Sequence, residues 1–206
     1  MHKLSSDLPN ILALPLVACQ SVGGIFSDAI PLASAWSMLR YAADIIDAVQ
    51  DEDDLPNIVN DPSMAIGFAN GLIFSAFDSI STMNNPKLVR EVVTFLSRTA
   101  FQASYGQHLS LQRNGWNDIT LESYWHATIL KSGSIFRAGL GGGAIVGNAP
   151  DNYITALDGF GNALGVIRQI IDDCRDVFEK TEIGAYEITL PLLILGLRRE
   201  ESVDEL

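Results

Sequence analysis

Apolar residues recur at helical spacing along most of this chain, and runs that alternate apolar and polar residues are scarce. This pattern constrains the fold more than any other feature, because a segment with a period of about 3.6 residues buries one face as a helix and not as a strand. The sequence therefore predicts an all-α protein. The expected helices cover residues 10–22, 28–50, 63–82, 87–112, 120–132 and 151–178.

Length and composition predict one folded domain over residues 1–206, since 48% of the residues are hydrophobic and 18% are charged. The net charge of −12 argues against a nucleic-acid partner, which would need a basic surface to neutralise phosphates. Cys19 and Cys174 form neither a disulfide framework nor a zinc spacing, so a cytoplasmic location is expected. No uninterrupted apolar run reaches about 18 residues, so no transmembrane segment is expected.

The last of these predicted helices ends in an acidic face. Gln169, Asp172, Asp173 and Asp176 fall within roughly a quarter to a third of the helical circumference. Carboxylates on one face are hard oxygen ligands that suit Mg²⁺ and leave positions open for substrate phosphates. The alternative is a helix end that faces solvent, which is where charged residues usually lie.

A second acidic face occurs on the helix predicted over 28–50, where Asp44, Asp47 and Asp51 are spaced i, i+3, i+7. Repulsion among these carboxylates is destabilising unless a cation lies beside them. Two acidic faces, each at the end of an apolar helix, favour a metal site over two unrelated solvated surfaces.

Two further segments bear on anion binding. Lys131 lies among apolar residues and needs an anionic partner if it is buried, although a lysine that extends its ammonium to solvent is the alternative. The five glycines of 139–147 lack the lysine and the preceding strand of a phosphate-binding loop, so they indicate close helix packing.

The ordered motifs resemble those of the trans-isoprenyl diphosphate synthases, the all-α polyprenyl synthetases of the class I isoprenoid-synthase fold. Asp172-Asp-Cys-Arg-Asp176 is similar to the second aspartate-rich motif of that family, and 160–169 resembles the approach to it. Further segments agree in order, namely 35–47, 65–77, 105–109, 131–133 and 189–191.

The resemblance implies a helical bundle around a central apolar cavity, shortened at the C-terminus, and Mg²⁺ as the cofactor. It implies a prenyltransferase that ionises an allylic prenyl diphosphate and condenses it with isopentenyl diphosphate, and it implies a homodimer formed through helices matching 63–112. The implied catalytic residues are Lys131, Gln169 and Asp172, with Lys131, Arg175 and Lys180 on the diphosphate. The implied metal ligands are Asp47, Asp51, Asp172, Asp173 and Asp176. Ala42 and Ala43 precede the first motif and are small, which in the family implies room for a long product.

Departures from the family pattern keep other functions open. Ala48 replaces the second aspartate of the first motif, and residues 52–62 contain no Arg or Lys where the family has a basic pair for isopentenyl diphosphate. The alternatives are a related enzyme that uses another acceptor or cyclises the allylic diphosphate, and a non-catalytic subunit of a heteromeric prenyl synthase.

Overall fold

The computed structural model describes residues 11–51, 55, 59, 61–111 and 120–179, the last four of these by their backbone. Within these residues all regular structure is helical and no strand occurs, so the all-α prediction is confirmed. Short 3₁₀ helices, Ile11–Ala13 and Phe26–Ala29, precede the first two α-helices, and a π-helical turn, Ile129–Gly133, joins α5 to α6. The α-helices are α1 (Leu14–Ser21), α2 (Ile30–Gln50), α3 (Pro62–Ser81), α4 (Pro86–Leu111), α5 (Leu121–Thr128), α6 (Ser134–Val146) and α7 (Asp151–Glu179).

Side-chain caps explain where several helices begin. The Asp61 carboxylate accepts hydrogen bonds from the backbone N–H groups of Ser63 and Met64, at 2.8 and 3.1 Å, and Pro62 occupies the first turn of α3. Thr120 and Ser123 form a reciprocal capping box at the start of α5. These caps satisfy backbone donors that a helix leaves unpaired at its N-terminus.

The larger hydrophobic core is built around the Trp36 ring, which is 1% exposed. The Trp36 indole nitrogen donates to the Ile135 carbonyl oxygen at 2.7 Å, which ties α2 to α6. A Cβ added at Gly139 would lie 3.0 Å from the same ring. The glycine-rich stretch is therefore a buried helix whose small residues allow close packing, as the sequence indicated.

A second core cluster joins the end of α2 to α3. Ala42 and Ile45 of α2 pack there with Val59, Ala65 and Ala69. Ala43 and Ile46 are half-buried beside these residues, and Ile46 packs against the same cluster. Helix α3 also reaches the first turn of α2, where the Ser79 hydroxyl donates to the Pro31 carbonyl oxygen at 3.1 Å.

Helix α3 is also the described helix that is long and apolar enough to cross a membrane by length and composition, although only 22% of its most apolar window is buried in the protein. The sequence predicts no transmembrane segment because no uninterrupted apolar run is long enough. In α3 the apolar residues are interrupted by Ser, Asn and Asp78. Its buried residues are those that pack on α2 and α4.

The π-helical turn is held between two helices by glycines. A Cβ at Gly106 of α4 would lie 2.2 Å from the Lys131 backbone nitrogen, and a Cβ at Gly165 of α7 would lie 2.4 Å from the Ser132 carbonyl oxygen. Neither backbone atom can move away from an added Cβ, as the end of a flexible side chain could. The sequence predicted one helix over 120–132, and the structure instead ends α5 at Thr128 and widens the next turn.

We expect Gly165→Ala to lower the free energy of unfolding by about 1–3 kcal/mol, because the added methyl group overpacks the contact between α7 and the turn. Gly159→Ala is the matched control on the same helix, since nothing lies within 4 Å of a Cβ at that position. The control should be neutral or stabilising by up to about 1 kcal/mol, because alanine favours a helix over glycine. Urea unfolding of both variants measures the difference, and equal stabilities would contradict the described close approach.

Candidate active site

Asp47 and Lys131 form the closest ion pair between distant segments in the described part of the chain. The Lys131 Nζ lies 2.7 Å from Asp47 Oδ1, and the two side chains are 24% and 35% exposed. This pair joins the acidic face of α2 to the π-helical turn. The positive charge that offsets repulsion among the aspartates of α2 is therefore the Lys131 ammonium group, and Asp47 is the anionic partner of Lys131.

Asp172 lies on α7 between two arginines of its own helix. Arg168 Nε is 3.1 Å from Asp172 Oδ2, and Arg175 lies farther away, at 3.9 Å from Asp172 Oδ1. Arg168 precedes Asp172 by four residues and Arg175 follows it by three, which are the spacings that bring side chains together on a helix. Arg175, predicted to bind diphosphate, is thus adjacent to the first aspartate of its motif.

The acidic faces of α2 and α7 come within electrostatic reach of each other through Asp44. Burial raises the pKa of the Asp44 carboxyl, and the charges of Asp47 and Asp172 raise it further, whereas Arg40 and Arg168 lower it. Half of the Asp44 side chain is nevertheless exposed, so solvent reaches the carboxylate. Asp44, Asp47, Lys131, Arg168 and Asp172 are called the acidic site below.

Gln169 and Asp173 belong to a buried hydrogen-bond chain beside the acidic site. The Ser132 hydroxyl donates to Gln169 Oε1 at 2.5 Å, and Gln169 Nε2 donates to Asp173 Oδ1 at 2.8 Å. The Tyr124 hydroxyl donates to Asp173 Oδ2. Asp173 is only 5% exposed, so this part of the motif is not the solvated helix end that was the alternative.

The remaining predicted site residues are placed as follows. Asp51 follows the last residue of α2, and its backbone N–H donates to the Asp47 carbonyl oxygen at 2.9 Å. Asp176 lies in α7 with its side chain outside the described atoms, and Lys180 lies outside the described residues. Ala42 is buried in the cluster between α2 and α3, and Ala43 is half-buried beside it. Their role in product length stays a prediction.

The chemistry of the acidic site suits a hard divalent cation. Asp47 and Asp172 offer carboxylate oxygens, and burial together with these two charges raises the pKa of the neighbouring Asp44 carboxyl, so a cation placed there would stabilise its charged form. Among the described side chains, no three or more His, Cys, Asp or Glu residues lie together as a ready metal-binding group. The five-aspartate ligand set therefore stays a prediction.

Sequence reasoning missed four residues of this region: Arg40, Tyr124, Ser132 and Arg168. Arg168 stands four residues before Asp172, and this spacing alone could have identified the ion pair. Tyr124 precedes Lys131 by seven residues, which on one continuous helix would place both on the same face. Its contact with α7 depends on the tertiary fold.

The raised pKa of Asp44 predicts a pH-dependent stability. A carboxyl whose pKa is higher in the folded state than in the unfolded state stabilises the protein below its ordinary value of about 3.9, and that contribution is lost as the pH rises through the folded value. We therefore expect Asp44→Asn to raise the melting temperature at neutral pH. The advantage should vanish below the ordinary aspartate pKa, where the Asp44 carboxyl is protonated in both the folded and the unfolded state.

Thermal unfolding over a series of pH values measures this effect. Asp78→Asn, which removes an exposed carboxylate from α3, is the matched control and should shift the melting temperature little. An Asp44→Asn variant that is less stable than the parent protein at neutral pH would contradict the desolvated position of Asp44.

Comparison with known proteins gives a consistent family. The family model described as polyprenyl synthetase matches residues 11–185. A short chain isoprenyl diphosphate synthase of Methanothermobacter thermautotrophicus is 26% identical over 176 residues, covering 82% of this chain and 54% of the relative. Geranylgeranyl pyrophosphate synthase 4 of Arabidopsis thaliana is 27% identical, covering 94% of this chain and 58% of the relative.

Solved structures share the fold. Geranylgeranyl pyrophosphate synthetase from the archaeon Geoglobus acetivorans superposes with a TM-score of 0.81 at 20% identity, over 91% of this chain and 64% of that one. A polyprenyl synthase from Caulobacter crescentus, solved in complex with calcium and isoprenyl diphosphate, gives a TM-score of 0.81 at 21% identity, over 94% of this chain and 62% of that one.

The chain spans 54% and 58% of the lengths of the two curated relatives. The family model covers every described residue, including the acidic site and the buried chain from Ser132 to Tyr124. With the all-α architecture and the aspartates of α2 and α7 meeting at one site, these matches establish that the chain belongs to the polyprenyl synthetase family.

Proposed function

We propose that this protein is a Mg²⁺-dependent prenyltransferase that ionises an allylic prenyl diphosphate and condenses it with isopentenyl diphosphate. The observation that carries the proposal is the acidic site itself, where Lys131 pairs with Asp47 and the charges of Asp47 on α2 and Asp172 on α7 both act on Asp44. Family membership and the names of the curated relatives, which are isoprenyl diphosphate synthases, support the same reaction class.

Lys131 supplies the direct contact with the diphosphate in this proposal. Its ammonium group is partly exposed and pairs with Asp47, so an incoming diphosphate oxygen can replace the carboxylate as its partner. The exchange leaves Asp47 free for a cation. Arg175, which is 43% exposed beside Asp172, can reach the same leaving group from α7.

Mg²⁺, held by Asp47 and Asp172 with Asp51 and Asp176, would neutralise negative charge that develops on the leaving diphosphate. The Caulobacter crescentus polyprenyl synthase was solved with calcium and isoprenyl diphosphate, which supports a cation and a diphosphate as ligands of this fold. The protein contributes charges that are already in place, because Arg168 orients Asp172, and the main rearrangement is the exchange of the Lys131 partner from Asp47 to the diphosphate.

The test is diphosphate release from allylic diphosphates with Mg²⁺, with and without isopentenyl diphosphate. Release that requires both substrates, together with a longer prenyl product, is the expected result. Release with the allylic substrate alone would favour an enzyme that cyclises this substrate or uses another acceptor. The absence of Arg and Lys from 52–62 is compatible with that alternative, because the family has a basic pair there for isopentenyl diphosphate. No release under any condition would favour a non-catalytic subunit.

Lys131→Gln should lower the rate of release about a hundredfold, because it removes one preorganised charge at the leaving group. Lys87→Gln is the matched control, since Lys87 is 76% exposed on α4 and pairs with Glu91 of the same helix. Equal rates for Lys131→Gln and the parent protein would exclude the proposed diphosphate contact.

We also propose a homodimer formed through the apolar face of α3 and α4. Two phenylalanines of this face are among the most exposed large apolar side chains described, Phe74 at 74% and Phe101 at 72%. Apolar surface of this kind marks an interaction site, and a twofold axis would bury the same patch on both copies.

Light scattering coupled to gel filtration should report a dimer for the parent protein and a monomer for the double variant Phe74→Glu, Phe101→Glu. Val17→Glu, an apolar exposed position on α1 at 54%, is the matched control and should remain dimeric. A monomeric parent protein, or a dimeric double variant, would contradict this interface.

A further inference from the structure

A buried hydrogen-bond chain runs from α5 through α7 to the turn that carries Lys131. Its members, in order, are Tyr124, Asp173, Gln169 and Ser132, and it uses both oxygens of the Asp173 carboxylate. Tyr124 and Asp173 are 9% and 5% exposed. Neither Tyr124 nor Ser132 has a part in the proposed function.

We propose that Tyr124 is a positioning residue, which acts through the Asp173 carboxylate to fix the direction of the Gln169 side-chain amide beside Lys131. The effect on turnover rests on the proposed function. The effect on the Gln169 amide does not.

The buried Asp173 carboxylate needs hydrogen-bond donors. Removing a carboxylate from water is costly unless each oxygen accepts hydrogen bonds. Gln169 supplies one donor to Asp173, and the Tyr124 hydroxyl supplies another on the second oxygen. Burial, the hydrogen bond to Asp173 and the charge of Asp173 all raise the pKa of Tyr124, so its hydroxyl keeps the proton that it donates.

The Gln169 amide has two chemically different ends. Asp173 is an acceptor only, so it selects the amide NH₂ group, and the amide oxygen then faces the Ser132 hydroxyl. Without a firmly held carboxylate, rotation of the amide by 180° would exchange the oxygen and the nitrogen. Asp173 thus sets which end of Gln169 faces the turn of Lys131, and Tyr124 holds Asp173 in the position from which it does so.

Tyr124 is itself held rigidly by its own helix. The capping box of Thr120 and Ser123 fixes the first turn of α5, and Ser123 immediately precedes Tyr124. The Trp125 ring packs edge-on against the tyrosine ring at a centroid distance of 5.5 Å. A hydroxyl held in this way can orient a partner on another helix.

The test is Tyr124→Phe, which retains the ring and removes only the hydroxyl. We expect kcat for diphosphate release to fall about tenfold or more, with KM for the allylic diphosphate little changed, since a positioning group acts after the substrate is bound. Tyr153→Phe is the matched control, because Tyr153 is 55% exposed near the start of α7. An unchanged kcat in Tyr124→Phe would overturn the proposal.

A spectroscopic readout is independent of activity. The side-chain amide signals of Gln169, assigned in ¹⁵N-labelled protein by their loss in Gln169→Glu, should move in Tyr124→Phe and stay in place in Tyr153→Phe. Signals that do not move in Tyr124→Phe would overturn the proposal. If the parent protein releases no diphosphate, the proposed function fails, and these signals still decide the positioning role.

Asp173→Asn is the second variant, and it keeps the proposal testable if Tyr124→Phe does not fold. The asparagine oxygen can accept from Gln169 while its NH₂ group donates to the Tyr124 hydroxyl oxygen, so the Gln169 amide signals should stay near their positions in the parent protein. In the double variant Tyr124→Phe, Asp173→Asn these signals should move as they do in Tyr124→Phe, because both changes act on one chain. Gln169 signals that move as far in Asp173→Asn alone as in Tyr124→Phe would contradict the proposal.

Discussion

The acidic site depends on the close backbone approach of α4 and α7 to the π-helical turn. Gly106 and Gly165 lie on either side of this turn, at distances that no side chain would tolerate. A turn with five-residue hydrogen bonding places Lys131 and Ser132 differently from a continuous α-helix. Lys131 therefore reaches Asp47 on α2 while the neighbouring Ser132 reaches Gln169 on α7. One short turn links the two acidic helices.

Charge balance in the acidic site follows from this arrangement. Asp47 forms an ion pair with Lys131, and Asp172 forms ion pairs with Arg168 and Arg175. Asp44 pairs with Arg40 at 3.6 Å. Burial raises the pKa of the Asp44 carboxyl, the charges of Asp47 and Asp172 add to that rise, and the charges of Arg40 and Arg168 oppose it. Such a site is suited to an exchange of ionic partners, in which a diphosphate and a cation replace interactions that the protein makes within itself.

The two aspartates of the second motif have different surroundings although they are adjacent in sequence. Asp172 is partly exposed among arginines, whereas Asp173 is buried and accepts hydrogen bonds from Tyr124 and Gln169. Successive residues on a helix point about 100° apart, so the burial of Asp173 fixes the direction of the Asp172 side chain. Asp173 thus orients α7 so that Asp172 stays partly exposed beside Arg168.

The sequence by itself determined the helical architecture, the order of the motifs and most helix bounds, because hydrophobic periodicity and capping residues are local properties. It also singled out Asp47, Lys131, Gln169 and Asp172 as candidates, and their catalytic and metal-binding roles stay predictions, as do the cytoplasmic location and product length. Only the tertiary structure decided that the charge of Asp172 acts on Asp44, that Tyr124 reaches Asp173, and that the helix predicted over 120–132 widens before Lys131. The physical reason is that these features depend on how closely α4 and α7 approach the turn, and no local pattern of residues encodes that distance.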